Sequence, residues 1–274
     1  MARVVRAAPT REPECLYAGP ALLVFAHADD ETIALGARLH RLTITRLIHV
    51  TDGAPRDEHD SHEHGFSSLE DYRKARLHEF QSMLAMAGAQ QIRCENLRIP
   101  DQQATQQLAA LTRRVAAAIQ RDRPTVILTH PYEGGHPDHD ASAFAVHHAV
   151  RLVSKPAPRI LECAFYHAGP QGIETGVFLP GFAEETIVCP LNAEERNMKQ
   201  DRLGCYTTQR ETLRYFRTDQ ESFRVAPRYD FSQPPHPGRL FYENFPWGMT
   251  AERFCQLAIQ ARHELVPESV FACP

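Results

Sequence analysis

Two short clusters of histidine and aspartate carry residue types that bind metal ions. The first is Ala26-His27-Ala28-Asp29-Asp30-Glu31, and the second, far along the chain, is Gly135-His136-Pro137-Asp138-His139. Imidazole and carboxylate donors at such spacing can share one divalent cation, and catalytic zinc sites hold the ion with three protein donors while keeping a position open for water. Each cluster also has an ordinary explanation. Asp-Asp-Glu is what a helix N-terminus favours, because carboxylates satisfy orphan amides and the positive dipole end. A histidine pair in a chain with 15 histidines is by default solvated surface. Chance accounts less well for both clusters mixing His with Asp and both falling at a strand-to-helix turn.

The surrounding elements set that turn. Ala21-Leu22-Leu23-Val24-Phe25-Ala26 reads as a buried strand, and helical spacing begins at Thr32 and runs to Leu39. Around the second cluster, Thr125-Val126-Ile127-Leu128-Thr129 is a β-branched run, Pro131 to Gly135 is turn chemistry, and 140–151 carries helical spacing. His136 and His139, three apart at that helix start, share a face. Ligands of open α/β sheets bind just beyond the carboxyl ends of the strands, where both clusters fall.

The two segments resemble the motifs of the LmbE-like, or PIG-L, family of zinc-dependent de-N-acetylases. Ala26 to Glu31 is similar to the family's A-H-P-D-D-E, with Ala28 in place of the usual proline, and His136-Pro137-Asp138-His139 is similar to its H-P-D-H. Thr51-Asp52-Gly53 matches a third family feature. The resemblance covers roughly the first 170 residues. It implies an α/β, Rossmann-like three-layer fold with a mostly parallel central sheet, and a hydrolase that removes an acetyl or other acyl group from the amide nitrogen of an N-acetylated amino sugar or its conjugate, N-acetylglucosamine conjugates in known members.

Residue by residue, the resemblance implies His27, Asp30 and His139 as the metal ligands. It makes Asp29 the general base, a protonated His136 the oxyanion stabiliser and Asp138 the residue holding the His136 tautomer. Asp101, at the end of a strand over 92–99, is carried over as a contact to substrate hydroxyls, with a turn aspartate after Pro100 as its rival reading. Arg56 is a candidate for a substrate oxygen or phosphate, with solvated loop charge an equal alternative. Zinc is the expected ion, and Fe2+ or another divalent ion suits the same donors. Glu31 is assigned to the helix N-terminus.

Composition narrows the partners. A net charge of -4 and a pI near 6.4 provide no basic field for nucleic acid or an anionic membrane, leaving a small-molecule substrate. Seven cysteines without a C-x-x-C pair fit a reducing cytoplasm rather than a disulfide framework. The N-terminal residues lack the apolar run of a secretory signal, and no run approaches the ~20 residues of a membrane span. At 274 residues the expectation is a loosely ordered arm over 1–18, then a single domain over 19–274 with a C-terminal extension from about 185.

Further along, a strand over 44–50 is expected to end at Thr51-Asp52-Gly53, and the three histidines of the polar stretch 54–65 read as a solvated loop rather than a second metal site. A helix over 67–87 carries Tyr72, Arg73, Arg76 and Glu79 on what reads as a charge-decorated outer face. Helices are expected over 107–121, 192–203 and 249–265, strands over 159–167 and 186–190, and rim loops between 169 and 181. Two other functional classes stay open: a binding module without catalysis, weakened by the lack of G-x-G-x-x-G after the first strand, and a metal-dependent amidase or phosphoesterase acting on a non-sugar substrate. Oligomeric state is not legible.

Overall fold

The computed structural model describes residues 19–153 and 155–265, so the expected arm over 1–18 lies outside the described residues. In order, the elements are β1 (Ala21–Phe25), α1 (Asp30–Leu35), β2 (Ile44–Pro55), α2 (His59–Glu63), α3 (Leu69–Met86), β3 (Cys94–Asp101), α4 (Leu108–Asp122) and β4 (Val126–Thr129). They continue with α5 (Pro137–Leu152), β5 (Arg159–Cys163), β6 (Tyr166–Gly169), β7 (Gly172–Thr175), β8 (Ile187–Pro190), α6 (Ala193–Leu203), α7 (Arg210–Leu213), β9 (Gln220–Val225) and α8 (Ala251–Leu265).

Seven strands form one sheet in the order β3-β2-β1-β4-β5-β9-β8, with β6 and β7 a separate hairpin. The pairs from β3 through β5 are parallel, and β9 is antiparallel to both β5 and β8. β1 is buried along its whole length because it has parallel neighbours on both edges and helices on both faces. Its side chains alternate: Leu22 and Val24 join a core with α4, α5 and α8, whereas Ala21, Leu23 and Phe25 join a core with α1 and α3. This is the expected mostly parallel, three-layer α/β architecture. Strand order reverses between β1 and β4, so the crevice between their carboxyl ends is the topological switch point.

The stretch beyond 185, expected as an extension, supplies two strands of the same sheet. β9 is absent from the sequence expectations because its sequence, Gln-Glu-Ser-Phe-Arg-Val, is too polar to read as a buried strand. Its charges are nevertheless buried in pairs: Glu221 accepts Arg38 Nη1 at 2.7 Å, and Arg224 Nε donates to Glu162 at 2.8 Å. Other boundaries shift as well. β2 runs on through Thr51-Asp52-Gly53 to Pro55, the polar stretch after it forms the short α2, and α5 starts at Pro137 rather than at 140. Among the described residues no helix is long and apolar enough to cross a membrane, and no disulfide joins the five cysteines to one another.

Candidate metal centre

The H-P-D-H segment is the start of a helix. His136 is the N-cap of α5 and accepts the Asp138 amide at Nδ1 (3.1 Å), Pro137 takes the first helical position, and His139 follows in the first turn. The turn before it admits no side chain at Gly135, where a Cβ would lie 2.1 Å from the Tyr166 carbonyl oxygen of β6. Asp140 closes the same turn by accepting the amides of Glu133 (3.2 Å) and Gly134 (3.1 Å). On the other side of the crevice, the turn after β1 places Asp29 at φ 144°, a backbone region that non-glycine residues rarely adopt, and Asp30 opens α1.

These two turns bring the three expected ligands into one neighbourhood, although His27, Asp30 and His139 do not by themselves form a set whose donor atoms all lie within 4.8 Å of one another. Asp30 Oδ2 lies 3.5 Å from His27 Nδ1, Asp30 Oδ1 lies 3.4 Å from His139 Nε2, and the His27 and His139 rings are 5.4 Å apart between centroids. Donor atoms of His27, His136 and His139 lie within 4.8 Å of one another, and so do those of Asp30, His130 and His139. His139 belongs to both sets, and its Nε2 is buried without a hydrogen-bond partner. A buried imidazole nitrogen left unpaired among carboxylate and imidazole donors fits a divalent cation of the zinc or iron type.

His130 was not anticipated. It follows β4 directly, is fully buried, accepts the Ala26 amide at Nε2 (2.9 Å), lies 3.3 Å from Asp30 Oδ2 and stacks on His139 at 3.8 Å. The available signal was its position immediately after the β-branched run, outside either motif. Arg76 corrects the outward-face expectation for α3. It is buried, and its Nη1 and Nη2 both donate to Asp29 Oδ2 at 3.3 Å while Nη2 also reaches the Ala28 carbonyl at 3.1 Å. Tyr72 and Glu79 are buried too. Glu79 accepts Thr207 and Thr208, and Tyr72 accepts Gln209, so this face of α3 receives the segment after α6.

Several assigned roles change. The Asp138 carboxylate does not orient His136: it accepts the amides of Gln102 (2.6 Å) and Ala104 (2.9 Å) and lies 3.6 Å from His27 Nε2. The backbone amide of Asp138 instead occupies His136 Nδ1, which leaves the proton on Nε2. Burial, reinforced by His27 and His139, drives the His136 pKa well down, so this ring is neutral rather than protonated. Arg56 points away from the cavity and is tied to Asp52 at 2.6 Å, because a buried carboxylate four residues away outcompetes solvent for the guanidinium. Glu31 turns inward, where it accepts Tyr206 (2.5 Å), Thr32 (2.9 Å) and His49 (2.9 Å), with a weaker contact to the Asp29 amide at 3.3 Å. Asp101 does line the cavity, and its Oδ1 pairs with His27 Nε2 at 3.0 Å. The histidines of α2 are exposed, as expected for a solvated segment.

Charge in the site is unequally shared. Burial pushes the Asp29 carboxyl up to about 7, with Arg76 opposing and Asp30 adding to the shift. Asp30 is also desolvated, yet His139 and His130 hold it well below the usual carboxylate range. Burial works against protonating His27, but Asp101, Asp138 and Asp30 outweigh it and raise its pKa well above the ordinary value. The same surplus of carboxylates attracts a metal cation, which competes with the proton for that ring.

The cluster forms the floor of a cavity of about 600 Å3. Its walls include Asp60, Arg76 and Gln209, and its mouth is lined by Tyr215, Phe245 and Trp247.

Residues 22–150 match the family model described as PIG-L: GlcNAc-PI de-N-acetylase. Among solved structures, the chain is similar to the zinc-inhibited form of teicoplanin deacetylase Orf2, at 17% identity and a TM-score of 0.58 over 77% of this chain and 99% of that one. It is similar to the N,N'-diacetylchitobiose deacetylase of Pyrococcus horikoshii, at 15% identity and 0.53 over 76% and 84%. A third similar structure is GalB, the 4-carboxy-2-hydroxymuconate hydratase of Pseudomonas putida KT2440, at 15% and 0.51 over 77% and 98%. No curated protein sequence matches. The segment that matches the PIG-L family model spans β1 to α5, the elements that carry both clusters.

Proposed function

We propose that this protein is a metal-dependent N-deacetylase, which hydrolyses the amide of an N-acetylated amino sugar or its conjugate to release the carboxylate and the free amine. The observation that carries the reading is the unpartnered, buried Nε2 of His139 facing Asp30, beside a carboxylate, Asp29, that a buried arginine holds in a strained turn. The family-model match over residues 22–150 and the deacetylases among the similar folds support it. The fold by itself does not choose the reaction, since the hydratase shares it.

His27, Asp30 and His139 would hold the ion, with the buried His130 ring stacked on His139. When bound, a divalent cation supplies Lewis acidity toward the amide carbonyl and the attacking water. Asp29 is the proton carrier. Arg76 occupies its Oδ2, so Oδ1 is the atom that takes a proton from water and returns it to the departing nitrogen. His136 donates from Nε2 to the oxygen that gains charge as the carbonyl becomes tetrahedral, and a neutral imidazole suffices for that hydrogen bond. Asp101 and Arg76 face the same cavity and suit sugar hydroxyls.

Elemental analysis of the purified protein, combined with acetate release from N-acetylated amino sugars and phosphate release from phosphoesters, tests the proposal. One divalent ion per chain with acetate release supports it. Phosphate release without acetate, or hydrolysis indifferent to His139→Ala, overturns it.

A further inference from the structure

The walls of the cavity change character with depth. The floor is polar, but from His139 outward a chain of ring contacts runs through Tyr166 (5.4 Å between centroids), Phe241 (5.6 Å), Phe245 (5.4 Å) and Trp247 (4.5 Å), then returns to the floor at His136 (4.8 Å). Phe245 and Trp247 are stacked almost parallel, at 13°, and Phe245 remains 39% exposed. All four aromatic residues of this arc lie beyond the 22–150 segment that matches the family model.

We propose that this wall is a subsite for a planar, apolar ring attached to the sugar, so that the preferred substrate is an aryl conjugate of an N-acetylated amino sugar rather than the free sugar. The inference rests on the deacetylase reading given above.

Three observations favour a ring over the other parts of such a substrate. The Phe241–Phe245–Trp247 arc is poor in polar partners, offering one indole N–H among three rings, while the polar lining residues Glu211, Thr212 and Arg214 belong to the separate segment around α7. Sugar hydroxyls placed there would lose water without replacement bonds, which disfavours them. The parallel Phe245–Trp247 pair forms a rigid flat face, which offset-stacks on another ring. The cavity, at about 600 Å3, lies within the roughly 300–1,000 Å3 typical of sites for drug-sized ligands and exceeds what one pyranose fills.

Trp247 is the single tryptophan of the chain, so its fluorescence reports on this wall alone. Titrating the protein, with its metal removed by chelation, with phenyl N-acetyl-β-glucosaminide, octyl N-acetyl-β-glucosaminide and N-acetylglucosamine separates binding from turnover. The phenyl glycoside is expected to change the emission and bind about tenfold more tightly than the free sugar. In the metal-loaded enzyme, the ratio of kcat/KM for phenyl glycoside over free sugar should fall about tenfold in Phe245→Ala, a change at a half-exposed position. Equal binding of phenyl glycoside and free sugar, preference for the octyl chain, or an unchanged ratio in Phe245→Ala would overturn the subsite. Tight binding of the phenyl glycoside with no acetate released from any compound would overturn the deacetylase reading and leave the subsite standing.

Discussion

Arg76 decides where the Asp29 carboxylate points. Its two Nη atoms hold Asp29 Oδ2 and one also holds the Ala28 carbonyl, so a single side chain fixes both a strained turn and the carboxylate that the turn presents. Removing it in Arg76→Ala is expected to lower kcat about a hundredfold, the scale of a misplaced catalytic group, while Arg56→Ala, which loses bonds to Asp52 and to the Ala54 carbonyl, leaves KM unchanged. Steady-state kinetics on both variants checks the contrast. Asp29→Asn should keep its metal and lose about 10²–10⁴ in kcat. His139→Ala should lose the metal itself, and elemental analysis beside the assay distinguishes the two. If Asp29→Asn emptied the site, the roles of Asp29 and Asp30 would be exchanged.

α1 has only six residues, all buried, and its catalytic turn is held from elements late in the chain. Tyr206 reaches Glu31, Lys199 Nζ donates to the Ile33 carbonyl at 2.6 Å, and Arg202 Nη1 donates to the Gly36 carbonyl at 2.6 Å. Glu221 on β9 closes this network by accepting Arg38 and the Ala37 amide (2.8 Å), with Lys199 at 3.5 Å. Breaking a buried charge cluster from one side strands the remaining charges. Glu221→Ala is therefore expected to destabilise the fold by about 3–5 kcal/mol, read from the midpoint of urea unfolding. A smaller loss, of surface-pair size, would mean that water replaces the carboxylate.

Ion binding and acidity act on the molecule as a whole. A cation that binds only the folded chain adds about 2.7 kcal/mol at a hundredfold excess over its Kd, so chelation should lower Tm and restoring the ion should recover it. The pH dependence has a separate contribution on α5, outside the metal centre. Burial lowers His148 from 6.5 to about 4, opposed by its bond to the Phe144 carbonyl. The unfolded chain then binds this proton more readily than the folded one, so the contribution is fully present above about 6.5 and is lost as the pH falls through that value toward 4. Across this window the denaturation midpoint of the parent should fall more steeply with decreasing pH than that of His148→Phe, which lacks the titrating ring, and equal slopes would clear His148 as the cause.

The chain's order of residues determined the two His/Asp turns and the parallel α/β frame that holds them. A motif of four to six contiguous residues at the end of a strand has its geometry set by neighbours in the chain, and the unbroken apolar run of β1 already marks both faces as buried. Only the tertiary structure decided which other side chains meet there. Arg76 looked like surface because its apolar and charged neighbours on α3 do not separate cleanly into two faces, and His130 sits in no motif. β9 is too polar to read as a strand until Glu162, Arg38 and Lys199 are seen across from it. These contacts join residues tens to more than a hundred positions apart, and local spacing carries no record of a partner that distant.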